Sequence, residues 1–292
     1  MMSFLKQHWW AILYSLLLGA FTAYLALDTF VIARIHTVVP QSEGNSLSSG
    51  VGQKEDDESW YGTGESNVET MITENSYSDQ NISISITEYR EYDTSIYVAD
   101  IVLSSAEYLQ AAFAQNAYGR NVTAKTSEIA ESTGAILAIN GDYYGSRESG
   151  YVIRDGVVYR DTPSQDQEDL IIYEDGSFGV AFEGAVTAEQ LMESGAEQVL
   201  SFGPALIVDG NISVSENEEV GKAKASNPRT AIGMIDDLHY VFVVSDGRTD
   251  ESQGLSLSQL AEFMATLGVT TAYNLDGGGS STMYFNGEVI NN

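Results

Sequence analysis

The chain contains no cysteine among its 292 residues. The lack of thiols excludes disulfide bridges, zinc–thiolate sites, iron–sulfur clusters and cysteine nucleophiles. Histidine is nearly as scarce: there are 3, and His8 and His36 flank an N-terminal apolar segment. Three histidines are too few to favour a histidine-rich metal site or a histidine-dependent catalytic triad. We therefore expect no metal and no cofactor.

Positive charge is also scarce, because 13 Lys and Arg are set against 42 Asp and Glu, for a formal net charge of -29. Repulsion by the whole molecule opposes capture of nucleic acid or of anionic lipid headgroups, so neither is expected as a partner. Any anionic ligand has to be held by a few local cations. The length allows a short appendage and one domain of roughly 200 residues.

The longest apolar run covers residues 9–33 and contains one charged residue, Asp28. A helix needs about 20 apolar residues to cross the hydrocarbon layer, so the run predicts one transmembrane helix. The charge of Lys6 favours a cytoplasmic location for residues 1–8 and an extracytoplasmic main domain, as in a single-pass cell-membrane protein. Two alternatives stay open at this point, a cleaved signal peptide and a buried core helix.

Two regions of different composition follow the apolar run. Residues 34–80 are rich in Ser, Gly, Glu and Asp, and they hold too few apolar residues to offset the entropy lost on ordering. This composition predicts an acidic, solvated linker. Residues 81–292 show regular hydrophobic patterns and are expected to form the folded domain.

Strand patterns dominate the predicted domain. Ile82, Ile84 and Ile86 alternate with polar residues, as in a half-buried strand, and residues 95–103 are the predicted partner. Hairpins are predicted around the Asp-Gly pairs at 155–156, 175–176 and 209–210. Helices are predicted at 126–132 and 188–194, and where capping boxes begin at Ser104 and Ser256. The predicted class is α+β, with a mixed, mainly antiparallel sheet and a few helices.

Four segments place polar side chains next to strand-like apolar runs, where a rigid scaffold meets an open loop. They are Asn-Gly-Asp-Tyr-Tyr at 140–144, Asn-Pro-Arg at 227–229, Ser-Asp-Gly-Arg at 245–248, and Asn-Leu-Asp-Gly-Gly-Gly-Ser at 274–280. Taken singly, the segments also fit ordinary features: an Asx turn, a structural salt bridge, an Asp-Gly turn and a flexible glycine loop.

The chemistry that these segments offer is anion binding. A guanidinium such as that of Arg229, which follows a proline, offers forked hydrogen bonds to phosphate or carboxylate. Gly277, Gly278 and Gly279 permit unusual backbone dihedrals, so their amides can point together at an anion. The loop lacks both the lysine of a Walker loop and the glycine spacing of a dinucleotide-binding loop.

The four polar segments, in their order along the chain, resemble motifs of the phosphodiester glycosidase family. A fifth segment, Phe-Gly-Pro-Ala-Leu-Ile-Val-Asp-Gly at 202–210, adds to this resemblance. Many bacterial members of that family are described as exopolysaccharide biosynthesis proteins, and animal members remove N-acetylglucosamine from mannose 6-phosphate. The similarity covers residues 82–292 and depends on the ordered combination of motifs. It implies a mixed α/β fold and hydrolysis of a sugar-1-phosphodiester in a glycan or envelope glycopolymer.

The resemblance also implies roles for the site residues. The catalytic carboxylate beside the sugar is expected to be Asp276, with Asp246 as the second candidate. Arg229 and Arg248 are expected to hold the phosphate together with the glycine amides. The remaining substrate contacts are expected from side chains that orient hydroxyl groups or stack on a sugar ring, namely Asn140, Asp142, Tyr143, Tyr144, Asn274 and Ser280.

The sequence departs from the family pattern in two places. Relatives commonly have a second glycine where this chain has Asp142, and they continue beyond the last Asn-Gly hairpin, whereas this sequence ends at Asn292. We expect either a truncated sequence or the lack of an edge strand and of one substrate-contacting arginine. Two other functions stay open: a non-catalytic envelope protein that binds anionic glycopolymers, and a calcium-binding module, although no EF-hand ligand spacing is present.

Overall fold

The computed structural model describes residues 2–39, 70–215 and 226–292, and for residues 2–7 it describes the backbone alone. The α-helices in these ranges are α1 (Met2–Phe30), α2 (Thr126–Thr133), α3 (Ala188–Glu193) and α4 (Leu257–Thr266). The strands of the first half are β1 (Arg34–Val38), β2 (Met71–Ile72), β3 (Ser76–Ser78), β4 (Ile82–Glu91), β5 (Thr94–Leu103), β6 (Ala117–Arg120), β7 (Leu137–Ile139), β8 (Val152–Arg154) and β9 (Val157–Arg160). The later strands are β10 (Glu168–Tyr173), β11 (Phe178–Phe182), β12 (Ala196–Leu200), β13 (Ala205–Val208), β14 (Asn211–Ile212), β15 (Arg229–Asp236), β16 (His239–Ser245), β17 (Thr271–Asn274), β18 (Met283–Phe285) and β19 (Glu288–Val289).

The main sheet has nine strands in the order β14-β13-β17-β15-β16-β5-β4-β3-β2, and each neighbouring pair is antiparallel. A second sheet has the order β11-β10-β12-β8-β9, a third the order β19-β18-β7, and β1 pairs with β6. The pairs in these smaller sheets are antiparallel as well. The predicted α+β class is therefore confirmed.

The main sheet is covered on both faces by apolar contacts. One face packs against the second and third sheets, with side chains such as Tyr240, Tyr273 and Leu170 fully buried. The opposite face packs against α4 through residues such as Leu260 and Phe263. Burial of apolar area on two faces holds the sheet rigid, so loops at its ends start from fixed positions.

Local patterns predicted most of these elements. The Asp-Gly hairpins form at the three predicted places, and both residues of the pair at 155–156 have positive φ, 50° and 65°. The helices predicted at 126–132, at 188–194 and after Ser256 are present as α2, α3 and α4. The helix predicted after Ser104 was wrong: a single 3-10 turn, Ala106–Tyr108, is capped by the Ser105 side chain instead.

The predicted linker contains strands at both of its ends. β1 begins at Arg34 and pairs with β6, while β2 and β3 extend the edge of the main sheet. These pairings correct the expectation of a solvated tether over the whole range 34–80, and residues 40–69 lie outside the described part of the chain. Backbone hydrogen bonding to an existing edge orders such segments although their composition is polar.

The N-terminal helix lies apart from the core. Residues 8–30 are long and apolar enough to cross a membrane, and none of the window is buried against the protein. Nδ2 of Asn121 donates hydrogen bonds to the carbonyls of Thr29 at 3.1 Å and Ile32 at 3.2 Å, so the end of α1 contacts the segment that follows β6. A membrane span and a signal sequence share these properties.

Candidate active site

Three neighbouring strands bring most of the predicted segments to one end of the main sheet. β15 lies between β16 and β17 and is antiparallel to both, so its first residues meet the last residues of its neighbours. Arg229, at the start of β15, lies opposite Ser245, the last residue of β16. The Leu275 N–H donates to the Thr230 carbonyl at 2.8 Å, just before the glycine loop. Three of the four predicted segments therefore meet at this sheet end.

The glycine loop packs closely on its neighbours at two positions. A Cβ atom on Gly277 would lie 2.9 Å from the Pro228 carbonyl oxygen, and one on Gly278 would lie 3.0 Å from Nη2 of Arg248. The Gly277 N–H donates to Oδ1 of Asp276 at 2.9 Å, and the Gly278 N–H donates to the Pro228 carbonyl at 2.9 Å. These two amides stabilise the loop itself, which corrects the expectation that all three amides point at an anion.

Arg248 is exposed beside this loop. Its Nη2 donates to Oδ1 of Asn227 at 2.7 Å and its Nε to the same oxygen at 3.2 Å, which orients the guanidinium. Its backbone N–H donates to the Gln253 carbonyl at 3.3 Å and its φ is 64°. An exposed, oriented guanidinium against the loop is suited to donate to a phosphate group.

Arg229, the other predicted cation, is 3% exposed. Its backbone N–H donates to Oγ of Ser245 at 3.0 Å, and its Nε donates to the Leu255 carbonyl at 2.9 Å. A buried guanidinium requires such acceptors because desolvation of its charge is costly. Arg229 therefore links β15 to the segment before α4, and its burial limits its access to a ligand.

Asp276 is half-buried next to the glycine loop. Burial raises the pKa of its carboxyl above the usual 3.8, while hydrogen bonds from the Ser280 side chain and the Gly277 N–H lower that pKa. The negative charge of Asp142 raises the same pKa and the positive charge of Arg147 lowers it. The net result is a carboxyl that takes up a proton at a higher pH than an exposed aspartate, which suits a group that exchanges protons.

Asn140 connects the glycine loop to two other segments. Its Nδ2 donates to the Asp276 carbonyl at 2.6 Å, while its Oδ1 accepts from Oγ1 of Thr230 at 2.8 Å and from the Thr282 N–H at 3.1 Å. The Asp276 N–H donates in turn to the Gly141 carbonyl at 3.2 Å. With both ends of its amide engaged, Asn140 positions the backbone of Asp276.

Asp142 is buried, with 2% of its side chain exposed, and forms a salt bridge of 2.8 Å with Arg154, which is 4% exposed. Its Oδ2 also accepts from the Ser201 N–H at 3.0 Å. A buried carboxylate needs a paired cation and hydrogen-bond donors to offset its desolvation. The structure therefore places Asp142 as a support of the 140–144 segment, whose charge still acts on Asp276.

The two predicted tyrosines have different surroundings. The guanidinium carbon of Arg147 lies 4.4 Å from the Tyr143 ring centroid, and the same ring meets Phe202 edge-on at 5.1 Å. The Tyr144 ring instead meets Phe113 edge-on at 5.0 Å. Tyr143 is thus joined to a cation that acts on Asp276, whereas Tyr144 belongs to a separate aromatic cluster.

Asn274 and Asp246 lie at the same sheet end, but both are covered by protein, at 1% and 4% exposed. Nδ2 of Asn274 donates to the Gly203 carbonyl at 2.8 Å, while its Oδ1 is buried without a hydrogen-bond partner among the described residues. Oδ1 of Asp246 accepts from the Asn292 N–H at 2.9 Å, and its Oδ2 accepts from the Tyr97 hydroxyl at 3.4 Å.

All the predicted site residues lie in the part of the chain that matches a known protein family. A sequence model described as Phosphodiester glycosidase matches residues 133–292, more than half of the chain. The chain belongs to the phosphodiester glycosidase family. The resemblance inferred from the ordered motifs is confirmed.

Relatives of this phosphodiester glycosidase domain come from bacteria and mammals. The SPbeta prophage-derived protein YomE of Bacillus subtilis is 31% identical over 165 residues, which cover 54% of this chain and 25% of that protein. The N-acetylglucosamine-1-phosphodiester alpha-N-acetylglucosaminidase of Mus musculus is 29% identical over 181 residues, which cover 56% of this chain and 34% of that enzyme. The matched region therefore covers about a third or less of the length of these relatives.

Two solved structures share the fold. The zebrafish N-acetylglucosamine-1-phosphodiester alpha-N-acetylglucosaminidase catalytic domain, auto-inhibited by its pro-peptide, matches with a TM-score of 0.52 and 21% identity, over 72% of this chain and 74% of that one. A hypothetical protein from Synechocystis matches with a TM-score of 0.58 and 14% identity, over 73% of this chain and 59% of that one. At these identities the similarity establishes the fold of the phosphodiester glycosidase domain.

Sequence reasoning missed Arg147, which contacts Tyr143 of the candidate active site. Its Nη1 donates to Oε1 of Gln167 at 2.8 Å, its guanidinium covers the Tyr143 ring, and its charge lowers the pKa of Asp276. A signal was available, because a lone cation three residues after Tyr144 is unusual in so acidic a chain. Its proximity to Asp276 depends on the tertiary fold.

A buried group of acids was also missed. Ser201 donates from its hydroxyl to Oδ1 of Asp169 at 2.6 Å and lies 2.8 Å from Oε1 of Glu183. Burial raises the pKa of Asp169 to about 9; the Ser201 hydrogen bond lowers it and the nearby Glu183 charge raises it. Within the described ranges, no group of three His, Cys, Asp or Glu side chains could hold a metal ion.

Proposed function

We propose that the chain hydrolyses the bond between C1 of a sugar and an oxygen of a phosphodiester. One observation carries the proposal: Asp276, the glycine loop and the exposed Arg248 lie together at one sheet end, inside the matched range 133–292. This reaction needs a cation at the phosphate and a carboxylate at the sugar. The names of the mouse and human relatives make N-acetylglucosamine the first sugar to test.

In the proposed reaction, the oxygen of water forms a bond to C1 and the bond from C1 to the phosphate oxygen breaks. The electron pair of the broken bond stays on that oxygen, which leaves with a phosphomonoester, and Arg248 stabilises the growing negative charge. Asp276 either removes a proton from the water or attacks C1 first, forming a glycosyl ester that water then hydrolyses. In both routes the proton from water passes to a carboxylate and then to solvent. Asp246, the second candidate carboxylate, is 4% exposed and therefore less accessible to a substrate than Asp276.

The structure favours supporting roles for several residues that were expected to touch the substrate. Asn140 holds the backbone of Asp276, and Arg229 holds the segment before α4. Tyr143 and Ser280 are better placed than Asn140 and Arg229 to contact the substrate directly. Tyr143 carries the guanidinium of Arg147 on one face, and Ser280 hydrogen-bonds to the Asp276 carboxylate.

We also propose the location and the wider class of substrate. Residues 1–8 would lie in the cytoplasm, 9–33 would span the membrane, and the folded domain would act outside on a glycan or envelope glycopolymer such as an exopolysaccharide. The apolar helix, which buries none of its apolar window against the protein, supports the anchor. The excess of acidic residues, at -29, opposes binding to nucleic acid.

The test uses the full chain in a non-ionic detergent and glycerol N-acetylglucosamine-1-phosphodiester as the probe. Release of free N-acetylglucosamine is measured for the parent, Asp276→Asn and Arg248→Gln. We expect Asp276→Asn to lower kcat/KM by about 100-fold or more, and Arg248→Gln by about 10- to 100-fold. The matched control is Asp209→Asn, at an exposed turn at the opposite end of β13 from the site, where asparagine tolerates the φ of 50°.

Equal turnover in the parent and both site variants would refute the assignment. The non-catalytic alternative predicts a different result: the parent would bind the probe stoichiometrically in calorimetry and release no sugar during a long incubation. Loss of that binding in Arg248→Gln, with no turnover in the parent, would favour a glycopolymer-binding protein over an enzyme.

A further inference from the structure

A second cluster of cations lies outside the sheet end described above. Four of the eight arginines of the chain line one cavity of about 290 Å³, and these are Arg34, Arg120, Arg147 and Arg160. Its other lining residues include His36, Tyr118, Tyr144 and Glu148. Such a concentration of positive charge is notable in a chain with a net charge of -29.

The fold forces two of these arginines together. Arg34 on β1 and Arg120 on β6 are direct partners in an antiparallel pair. Like charges placed opposite one another across a strand pair are destabilising unless an opposite charge lies nearby. The arrangement therefore favours an anion in the adjoining cavity.

The carboxylates of the protein only partly balance this charge. Arg34 pairs with Asp28, which does not line the cavity, and Arg120 pairs with Glu148 at 3.2 Å. The Glu148 side chain is 85% exposed, so this pair is weak and exchanges with solvent. Glu148 is the one acidic residue among the lining residues, against four arginines.

The remaining two arginines have no salt bridge within the described ranges. Nη1 of Arg160 donates to the carbonyls of Tyr144 at 2.9 Å and of Arg147 at 2.7 Å. Arg147 donates to the neutral side chain of Gln167. These neutral partners orient the guanidinium groups and leave their positive charge uncompensated, as an anion-binding site requires.

Arg147 connects the cavity to the candidate active site. It lines the cavity, its guanidinium covers the Tyr143 ring, and its charge acts on Asp276. A substrate that is bound at Asp276 and reaches Arg147 would bring a further charged group to the cavity. Arg34 and Arg120 precede residue 133, where the family match begins, so half of this cluster lies outside the matched family region.

We propose that the cavity is a subsite for a second phosphoryl group of the same substrate molecule, beside the phosphodiester that is cleaved. The inference rests on the proposed function and narrows its substrate class to glycopolymers that carry repeated phosphate groups. Arg34, Arg120, Arg147 and Arg160 line the subsite, and the charge of Arg147 also acts on Asp276.

The test compares two probes on the full chain in non-ionic detergent: glycerol N-acetylglucosamine-1-phosphodiester, and the same compound with a phosphate on the far glycerol hydroxyl. We expect the parent to show a KM about tenfold lower for the two-phosphate probe at low ionic strength. Arg120→Gln is expected to remove most of this KM ratio. The matched control is Lys125→Gln, which removes an exposed positive charge that does not line the cavity and is expected to keep the ratio.

Glu148→Gln removes the one carboxylate that lines the cavity, so it is expected to strengthen binding of the two-phosphate probe. Misfolding of the variant would weaken binding and cannot produce this gain. We expect this variant to lower the KM for the two-phosphate probe further. Equal KM values for both probes in the parent, or the same loss of ratio in Arg120→Gln and Lys125→Gln, would overturn the subsite.

Failure of the proposed function gives a different pattern, in which the parent turns over neither probe. Calorimetry with the two-phosphate probe then decides the subsite by itself. Binding that is weakened about tenfold in Arg120→Gln and strengthened in Glu148→Gln would support the subsite. Binding that is the same in the parent and in both variants would refute it.

Discussion

At the scale of single residues, the geometry of the candidate site depends on close packing around the glycine loop. Gly278 has a φ of 63° and lies against the guanidinium of Arg248, whereas a Cβ atom on Gly279 would meet no atom within 4 Å. A side chain is therefore unfavourable at Gly278 and tolerated at the adjacent Gly279. The difference provides a test of the loop that leaves its charge unchanged.

Gly278→Ala is expected to lower kcat/KM for the glycerol phosphodiester probe by about tenfold or more and to destabilise the fold by about 1 kcal/mol. The added methyl group displaces Arg248 and strains the positive φ. Gly279→Ala is the matched control and is expected to change turnover less than about twofold. Turnover assays and thermal unfolding of both variants check this prediction, which fails if the two alanine variants behave alike.

A second prediction concerns Asp169, whose pKa is raised to about 9 by burial in the folded protein, against 3.8 for an exposed aspartate. Between these pH values the folded state keeps a proton that the unfolded state releases, so the free energy of unfolding falls as pH rises. Asp169→Asn is expected to flatten this slope by up to about 1.4 kcal/mol per pH unit. Denaturant unfolding of the full chain from pH 5 to 9 measures the slope, with exposed Asp209→Asn as the control that keeps it.

Individual residues also show that motifs predict the position of a polar residue in the chain but not its burial. Asn140 and Asp276 were both singled out from the sequence, and the structure brings them into contact. Arg229 and Asp142 were singled out for the same chemistry, yet the structure buries both. Sequence patterns name a polar residue at a strand end, but its burial depends on segments far away in the chain, such as the one that contains Leu255.

At the scale of elements, the helix that supports the site begins with a capping box. Oγ of Ser256 accepts from the Gln259 N–H at 3.1 Å, and Oε1 of Gln259 accepts from the Ser256 N–H at 2.9 Å. The same spacing at Ser104 produced a single 3-10 turn, because no buried apolar face follows it. A cap pattern predicts a helix reliably when the next two turns carry an apolar stripe, as α4 does.

Ser256→Ala is expected to lower the free energy of unfolding by about 1 kcal/mol, because the N-terminal amides of α4 lose an acceptor. Ser258→Ala, two residues further along and inside α4, is the control and is expected to change stability by less than about 0.5 kcal/mol. Denaturant unfolding of the full chain measures both. Equal effects would show that the cap does not stabilise α4.

At the scale of the whole molecule, the apolar helix α1 and the acidic domain have opposite surface properties. The helix buries none of its apolar window against the protein, while the chain carries a net charge of -29. Exposed apolar area of this extent is unfavourable in water and favourable in a bilayer. The cell location therefore depends on whether α1 remains attached.

We expect the full chain to sediment with membranes and to resist extraction with alkaline carbonate. The mature protein is expected to retain Trp9, which mass spectrometry of its N-terminal peptide detects. A chain without residues 2–33 is the control and is expected in the supernatant. A mature protein that begins near residue 34 would contradict the anchor and favour a cleaved signal peptide.

Local sequence patterns were enough to predict the antiparallel hairpins, most helix starts and the glycine loop, since these depend on residues close together in the chain. The family followed from the order of motifs along the chain. Tertiary structure alone decided which polar residues are buried and which arginines share a cavity. Arg34 and Arg120 line the same cavity although they are far apart in sequence, because β1 pairs with β6 and no local pattern encodes that pairing. The groups that shift the pKa of Asp276, such as Asp142 and Arg147, lie in distant segments of the chain. Their effect therefore depends on the tertiary structure.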